Sequence, residues 1–182
     1  DERNALADHA ARLILELVDR QITPRQIVTT EALDDAFSLD MAMGGSTNTV
    51  LHSLAIAYEA GITYPLSRIN EIANKVPHLC KVSPAGEWHM EDVHRAGGVP
   101  AILKEIERAA HCLHPDRITV TGESFEKSFT NAEIKDTNVI HPFEEAYSKH
   151  GGLAVLFGNL APNGSVIKTG GVSSNMTVFT GP

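Results

Sequence analysis

Cysteine is scarce in this chain: Cys80 and Cys112 are its only two in 182 residues. That excludes a disulfide framework and fits a reducing compartment. Two thiols are also too few to hold an iron–sulfur cluster by themselves. Long apolar runs are missing, which excludes a membrane-spanning helix, and the opening Asp-Glu-Arg-Asn has neither the basic nor the apolar region of a secretion signal. Basic residues are the minority, 15 against 23 acidic ones, so the net charge is −8. With no basic patch, nucleic acid is excluded as a partner, and an anionic membrane surface is disfavoured. A composition of 42% hydrophobic and 21% charged residues is that of a globular chain. A soluble, cytoplasmic protein is expected, folded as one domain or as a large and a small one.

What is present is organised around Asp40-Met-Ala-Met-Gly-Gly-Ser-Thr-Asn-Thr-Val-Leu-His-Ser-Leu54. Gly44 and Gly45 allow a sharp turn and close approach of the backbone to a ligand, and Ser46, Thr47 and Asn48 can cap the helix that follows. A helix start of this kind attracts a carboxylate or a phosphate. Val50, Leu51, Leu54, Ala55 and Tyr58 form one expected apolar stripe, and Gly61 is the stop. A capped helix that binds nothing has the same signature.

Upstream, Leu6, Ala10, Leu13, Ile14, Leu17 and Val18 predict an amphipathic helix from Asn4 to Arg20. Thr30 is placed to cap a second helix to about Phe37, with Glu31, Asp34 and Asp35 at its electropositive end. Downstream of Gly61, Ser67 can cap a short helix carrying Ile69, Ile72, Ala73 and Val76, closed by Pro77. The first half therefore reads as helix after helix.

The block from Lys75 to Gly98 is the richest in titratable groups, with His78, Cys80, His89, Glu91, Asp92 and His94. Such variety suits acid–base or metal chemistry. His89 and His94, however, are five residues apart, unlike the four-residue step of a zinc-binding helical pair. Cys80 reads as a small buried hydrophobe. Gly97-Gly98 opens a further helix with Val99, Ile102, Leu103 and Ile106 as its stripe and Pro100 in its first turn. Paired glycines thus precede a helix twice, a pattern that tight packing also produces.

Beyond His114 the texture changes to short β-branched runs: Arg117–Thr121, Asn138–His141, Leu153–Phe157, Ser165–Thr169 and Met176–Phe179. The expected organisation is a helix-rich region over 1–114, a linker with a first short strand over 115–137, and over 138–182 the first strands of a β-barrel-like domain. A sheet of so few strands would leave exposed edges, so the chain is expected to be a piece of something longer. The fold class is α/β, α+β within this stretch.

Four blocks carry a resemblance: Leu39–His52, Lys75–Cys80, Met90–Gly98 and Gly151–Gly164. Together, and in this order, they resemble the dihydroxy-acid dehydratase family, which includes phosphogluconate and sugar-acid dehydratases. The intact Pro-His-Leu-Cys and His-Met-Glu-Asp-Val-His blocks look more like the branched-chain amino-acid enzyme. The resemblance implies a lyase that converts 2,3-dihydroxy acids to 2-keto acids with an iron–sulfur cluster and Mg²⁺. It also implies a homodimer or larger homo-oligomer, and an active site between a large α/β domain and a β-barrel-like one. The family's Cys-Asp-Lys, Glu-Gly-Pro and Gly-Arg-Phe-Ser-Gly-Gly motifs, which supply cluster, metal and catalytic serine, are not in this sequence. No catalytic residue, metal ligand or cofactor is therefore expected on this chain, and the stretch by itself is expected to be inactive. Ser46, Thr47, Asn48, Glu91, Asp92 and His94 are its candidates for lining the substrate pocket. Glu91, Asp92 and His94 could equally form a hydrogen-bond network at a helix start. Two other readings are a sugar-acid dehydratase segment and a non-catalytic domain that binds a small acid.

Overall fold

The computed structural model describes residues 2–172 together with 176, 178 and 180. Seven helices precede an antiparallel hairpin: α1 (Glu2–Asp19), α2 (Pro24–Ile27), α3 (Thr30–Ala42), α4 (Thr47–Ala60), α5 (Ser67–Ala73), α6 (Met90–Arg95), α7 (Gly98–Ala110), β1 (Leu153–Gly158) and β2 (Ala161–Lys168). This mixed architecture is the expected α+β arrangement. No helix among the described residues is long and apolar enough to cross a membrane.

Helix α3 is the centre of the fold. It continues past the expected end near Phe37 to Ala42, because Phe37, Met41 and Ala42 are all buried and no breaker comes before Gly44. Thr29, not Thr30, caps it, its hydroxyl accepting from the Ala32 N–H at 3.2 Å. Helices α4, α5 and α7 pack around α3. The core joins Phe37 and Met41 to Val50, Ile69, Val76, Leu79, Val93, Ile102 and Ile106. The α5 stripe is buried as expected, although Ser67 is the first helical residue and Leu66 holds the cap position. Helix α7 buries Ile102, Leu103 and Ile106.

Asp34 and Asp35, expected as dipole-facing acids on a helix surface, are instead buried and tie distant segments to α3. The Asp34 carboxylate accepts from Arg68 Nε and Nη2 at 2.6 and 2.5 Å and from the Tyr64 hydroxyl at 2.7 Å. Asp35 pairs with Arg117, and it accepts from the His114 backbone N–H at 3.1 Å. Buried carboxylates persist only with this degree of pairing.

Two expected stripes differ. On α4 the inward residues are Val50 and Ala57, while Leu51 (64% exposed) and Tyr58 (80%) face out, as does Ala55. The periodicity was compatible with several rotations, because Leu51, Leu54, Ala55, Ile56 and Tyr58 spread apolar residues around the helix, and contact with α3 and β2 selects one. On α1 no residue is buried by the described chain, so its apolar face, including Leu6, Ile14 and Val18, lies open.

Two expected strands are absent. Residues 117–121 make one isolated bridge, Ile118 to Ser124, before turning at Gly122, whose φ is +72°. Arg117 is held by Asp35, so side-chain pairing fixes this run where a ladder would otherwise have done so. Residues 138–141 form a turn in which the Asp136 carboxylate accepts the Asn138 N–H at 2.9 Å and its carbonyl accepts the Ile140 N–H at 3.1 Å. The expected strand over 176–179 includes residues 177 and 179, which lie outside the described residues.

The hairpin pairs Leu153 with Lys168 and Val155 with Val166, with an irregularity between Leu156 and Gly158. Its base is buried through Leu153 and Val155, and its tip projects into solvent. Asn70 of α5 clamps it: Asn70 Nδ2 donates to the Val155 carbonyl and Asn70 Oδ1 accepts the Val155 N–H, each at 2.8 Å.

Candidate functional site

The turn between α3 and α4 is the junction to which the expected site residues belong. Gly44 and Gly45 have φ of +95° and +73°, the left-handed region that glycine adopts without strain. What approaches them is this chain itself. A Cβ on Gly44 would lie 2.9 Å from His78 Nε2, and one on Gly45 would lie 2.3 Å from Leu153 Cγ. From the other side, a Cβ on Gly152 would meet the Gly44 carbonyl oxygen at 2.1 Å. The glycines therefore let the base of the hairpin sit directly on the α3–α4 turn. Of the two meanings that paired glycines allow, close packing accounts for this pair.

The electropositive start of α4 likewise has an internal partner. Asp40 Oδ2 accepts the Ser46 N–H at 3.1 Å, and Asp40 Oδ1 accepts the Thr49 hydroxyl at 2.9 Å. Burial, only partly offset by these two bonds, raises the Asp40 carboxyl above its ordinary range. Ser46 is half-buried beside it at the cap position, where its own side chain makes no capping bond, and Thr47 and Asn48 are exposed. A carboxylate from α3 thus sits where an external anion would be drawn.

Glu91, Asp92 and His94 lie on α6. Asp92 Oδ2 accepts the His89 N–H at 2.9 Å, closing the helix start, and Asp92 also faces Arg95 at 3.6 Å. Glu91 and His94 are exposed. Among the described residues, no hydrogen bond or ion pair joins this trio to Ser46, Thr47 and Asn48.

His78 stands out although sequence reasoning placed it only within a titratable block. It is 3% exposed, and its Nε2 finds no hydrogen-bond partner among the described residues. Burial, then the charge of Lys81, pushes its imidazole down to about 4. The strand-like pairing of His78 with Ser148 brings Tyr147 alongside, the two rings 5.5 Å apart. A cleft of about 370 Å³ opens there, between the end of α5, the His78–Lys81 segment and the base of the hairpin. The signal in the sequence was a histidine between Pro77 and Leu79, with a second histidine at 150 just before Gly151-Gly152; neither spacing announces that they share a wall.

No group of three His, Cys, Asp or Glu side chains able to hold a metal ion occurs among the described residues. Cys80 is fully buried in the apolar core, with its thiol pushed up to about 11, and Cys112 is half-buried with Sγ 3.9 Å from the Ser38 hydroxyl. Neither is a thiolate ready for iron.

Comparison with known families now adds to this geometry. The family description for the N-terminal region of dihydroxy-acid/6-phosphogluconate dehydratases matches residues 1–128, and that for the C-terminal region matches residues 138–182. The helical part and the hairpin that meet at Gly44 and Gly152 fall in separate matches. The chain belongs to the dihydroxy-acid/6-phosphogluconate dehydratase family of hydro-lyases.

Proposed function

We propose that this chain is part of a dehydratase that takes water from a branched 2,3-dihydroxy acid to give the 2-keto acid, the step that serves valine and isoleucine synthesis in the cytoplasm. Support comes from the matched family together with the intact Pro77-His-Leu-Cys80 and His89-Met-Glu-Asp-Val-His94 blocks, which resemble the branched-chain enzyme more than the phosphogluconate one. The likeness of these two blocks together carries the reading.

An iron–sulfur cluster and Mg²⁺ would supply the Lewis acidity for loss of the hydroxyl. The described residues do not fit these groups: one thiol is sealed in the core, the other rests against Ser38, and no three His, Cys, Asp or Glu side chains come together as a ligand set. In this reading the chain contributes scaffold and pocket lining, while the metals are held by motifs this sequence does not contain. Ser46, Thr47 and Asn48 are the first lining candidates, being at the rim of the α3–α4 turn. Glu91, Asp92 and His94 are the second set, and a homodimer is the proposed assembly.

The test is to offer the polypeptide carrying this sequence 2,3-dihydroxyisovalerate and 6-phosphogluconate side by side and measure 2-keto acid release. Preference for the first is the expected result; turnover of only the second assigns the sugar-acid branch. In the same enzyme, Ser46→Ala or Asn48→Ala should lower kcat/KM, and unchanged values would remove these residues from the pocket.

A further inference from the structure

We propose that Asn163 is a modification site, whose side-chain amide converts to a carboxylate without an enzyme, through attack by the main-chain nitrogen of Gly164. This chemistry does not depend on which acid the enzyme dehydrates. Asparagine is among the thermally labile residues, and Asn163-Gly164 is the single Asn-Gly step in the sequence. The fold imposes that glycine. Its φ of +101° lies in the left-handed region, and a Cβ there would come within 3.1 Å of Leu66 Cδ1, Phe157 Cε1 and Val155 Cγ1. The hairpin thus requires, directly after Asn163, the residue that shields its own main-chain nitrogen least.

Ring closure also needs freedom of the chain, and the hairpin supplies it. Leu156 pairs with Ser165 and Gly158 with Ala161, so residues 162–164 oppose Phe157 alone and form a bulge outside the regular ladder. Asn163 is exposed, and among the described residues its amide makes no hydrogen bond. Water reaches it and no partner holds it. The Gly164 nitrogen gives up its proton and bonds to Asn163 Cγ, the Cγ–Nδ2 bond breaks, and ammonia departs with that proton, leaving a cyclic imide. Water then opens the ring at either of its carbonyl carbons. Cleavage of the new N–Cγ bond gives aspartate, and cleavage of the original peptide bond gives isoaspartate, with the chain running on through Cγ. Nothing is oxidised or reduced. Either product adds one negative charge to the hairpin, and the isoaspartyl form also adds a methylene to the main chain. The paired residues on both sides of the bulge hold the strands together meanwhile.

The experiment is mass spectrometry of the full chain after incubation in warm, mildly alkaline buffer, once folded and once in urea. Trypsin releases the peptide from His150 to Lys168, which also carries Asn159, an exposed asparagine of the same hairpin that is followed by Leu160 and serves as the internal reference. Asn163 should be lost from the folded chain at no less than about a tenth of its rate in urea, as expected where local opening costs little. Asn159 should be intact when most of Asn163 has gone. Both products should form, and an endoproteinase that cuts before aspartate but passes over isoaspartate tells them apart. Asn163→Gln should abolish the conversion, since closure would then need a larger ring, and its exposed side chain leaves the fold alone. A folded-state rate below about a tenth of that in urea would overturn the site, as would loss of Asn159 in step with Asn163. The dehydratase assay can fail without touching this result, and the reverse also holds.

Discussion

Gly152 sits so close to Gly44 that a methyl group on it would collide with the Gly44 carbonyl oxygen at 2.1 Å. The obstacle is backbone, which cannot rotate away. Gly152→Ala should therefore cost about 3 kcal/mol, at the upper end of what overpacking a core costs. Gly158, whose added Cβ would meet nothing within 4 Å, is the control, and Gly158→Ala should change stability by less than about 0.5 kcal/mol. Urea unfolding of the two variants reads the difference.

The buried Asp34 carboxylate depends on Arg68, whose side chain is 37% exposed against 8% for Asp34. Arg68→Met leaves a charge stranded inside, with only the Tyr64 hydroxyl to serve it, and should destabilise by about 3 kcal/mol. Asp34→Leu leaves only the neutral Tyr64 hydroxyl without its partner, since Arg68 can turn to water, and should cost less. The order of the two midpoints in urea is the check; equal midpoints would mean that the charge is not what matters.

His78 gives stability a definite pH dependence. Its folded value is pushed down to about 4 from the ordinary 6.5, so the unfolded chain binds its proton more readily. Its contribution is accordingly complete above about pH 6.5 and is lost as pH falls toward 4. The full loss is about 3 kcal/mol on that shift. Unfolding free energy followed from pH 7 to 4 should fall more steeply in the native chain than in His78→Asn, and parallel curves would be inconsistent with a neutral buried imidazole.

Cys80 should resist thiol reagents at pH 8, because its thiol is sealed in the core and pushed up to about 11. Modification by a chromogenic disulfide should be slow and should accelerate in step with unfolding as urea is added. Rapid labelling of Cys80 in the native chain would show that the Val76–Cys80 segment opens on its own.

Much of the helical half was legible because caps, stops and periodic apolar residues are local signals. α5, α7 and the Gly61 stop follow from them directly. The rotation of α4 did not, since Leu51, Leu54 and Tyr58 are as apolar as the residues that are buried, and only its neighbours choose among them. Arg117–Thr121 misled for a different reason: β-branched residues state a preference, but a strand also needs a partner, and a buried carboxylate 82 positions earlier claimed Arg117 first. The role of Asp34 and Asp35 was hidden likewise, because acids at a helix start are ordinary until their partners at 64, 68, 114 and 117 are known. The Gly44-Gly45 turn was recognised as a place of close approach. That the approaching group is Gly152, more than a hundred positions away, is a long-range fact that no local pattern encodes.

The clamp of Asn70 on Val155 bears on how this sheet can grow. By satisfying both main-chain groups of Val155, the amide behaves as a one-residue strand and caps that margin of the hairpin. A neighbouring strand could add along β2, but not beside β1 at this point without first evicting a side chain that belongs to a helix. Enlargement of the hairpin is thereby made one-sided, and stray cross-pairing between molecules is discouraged along the margin nearest the core.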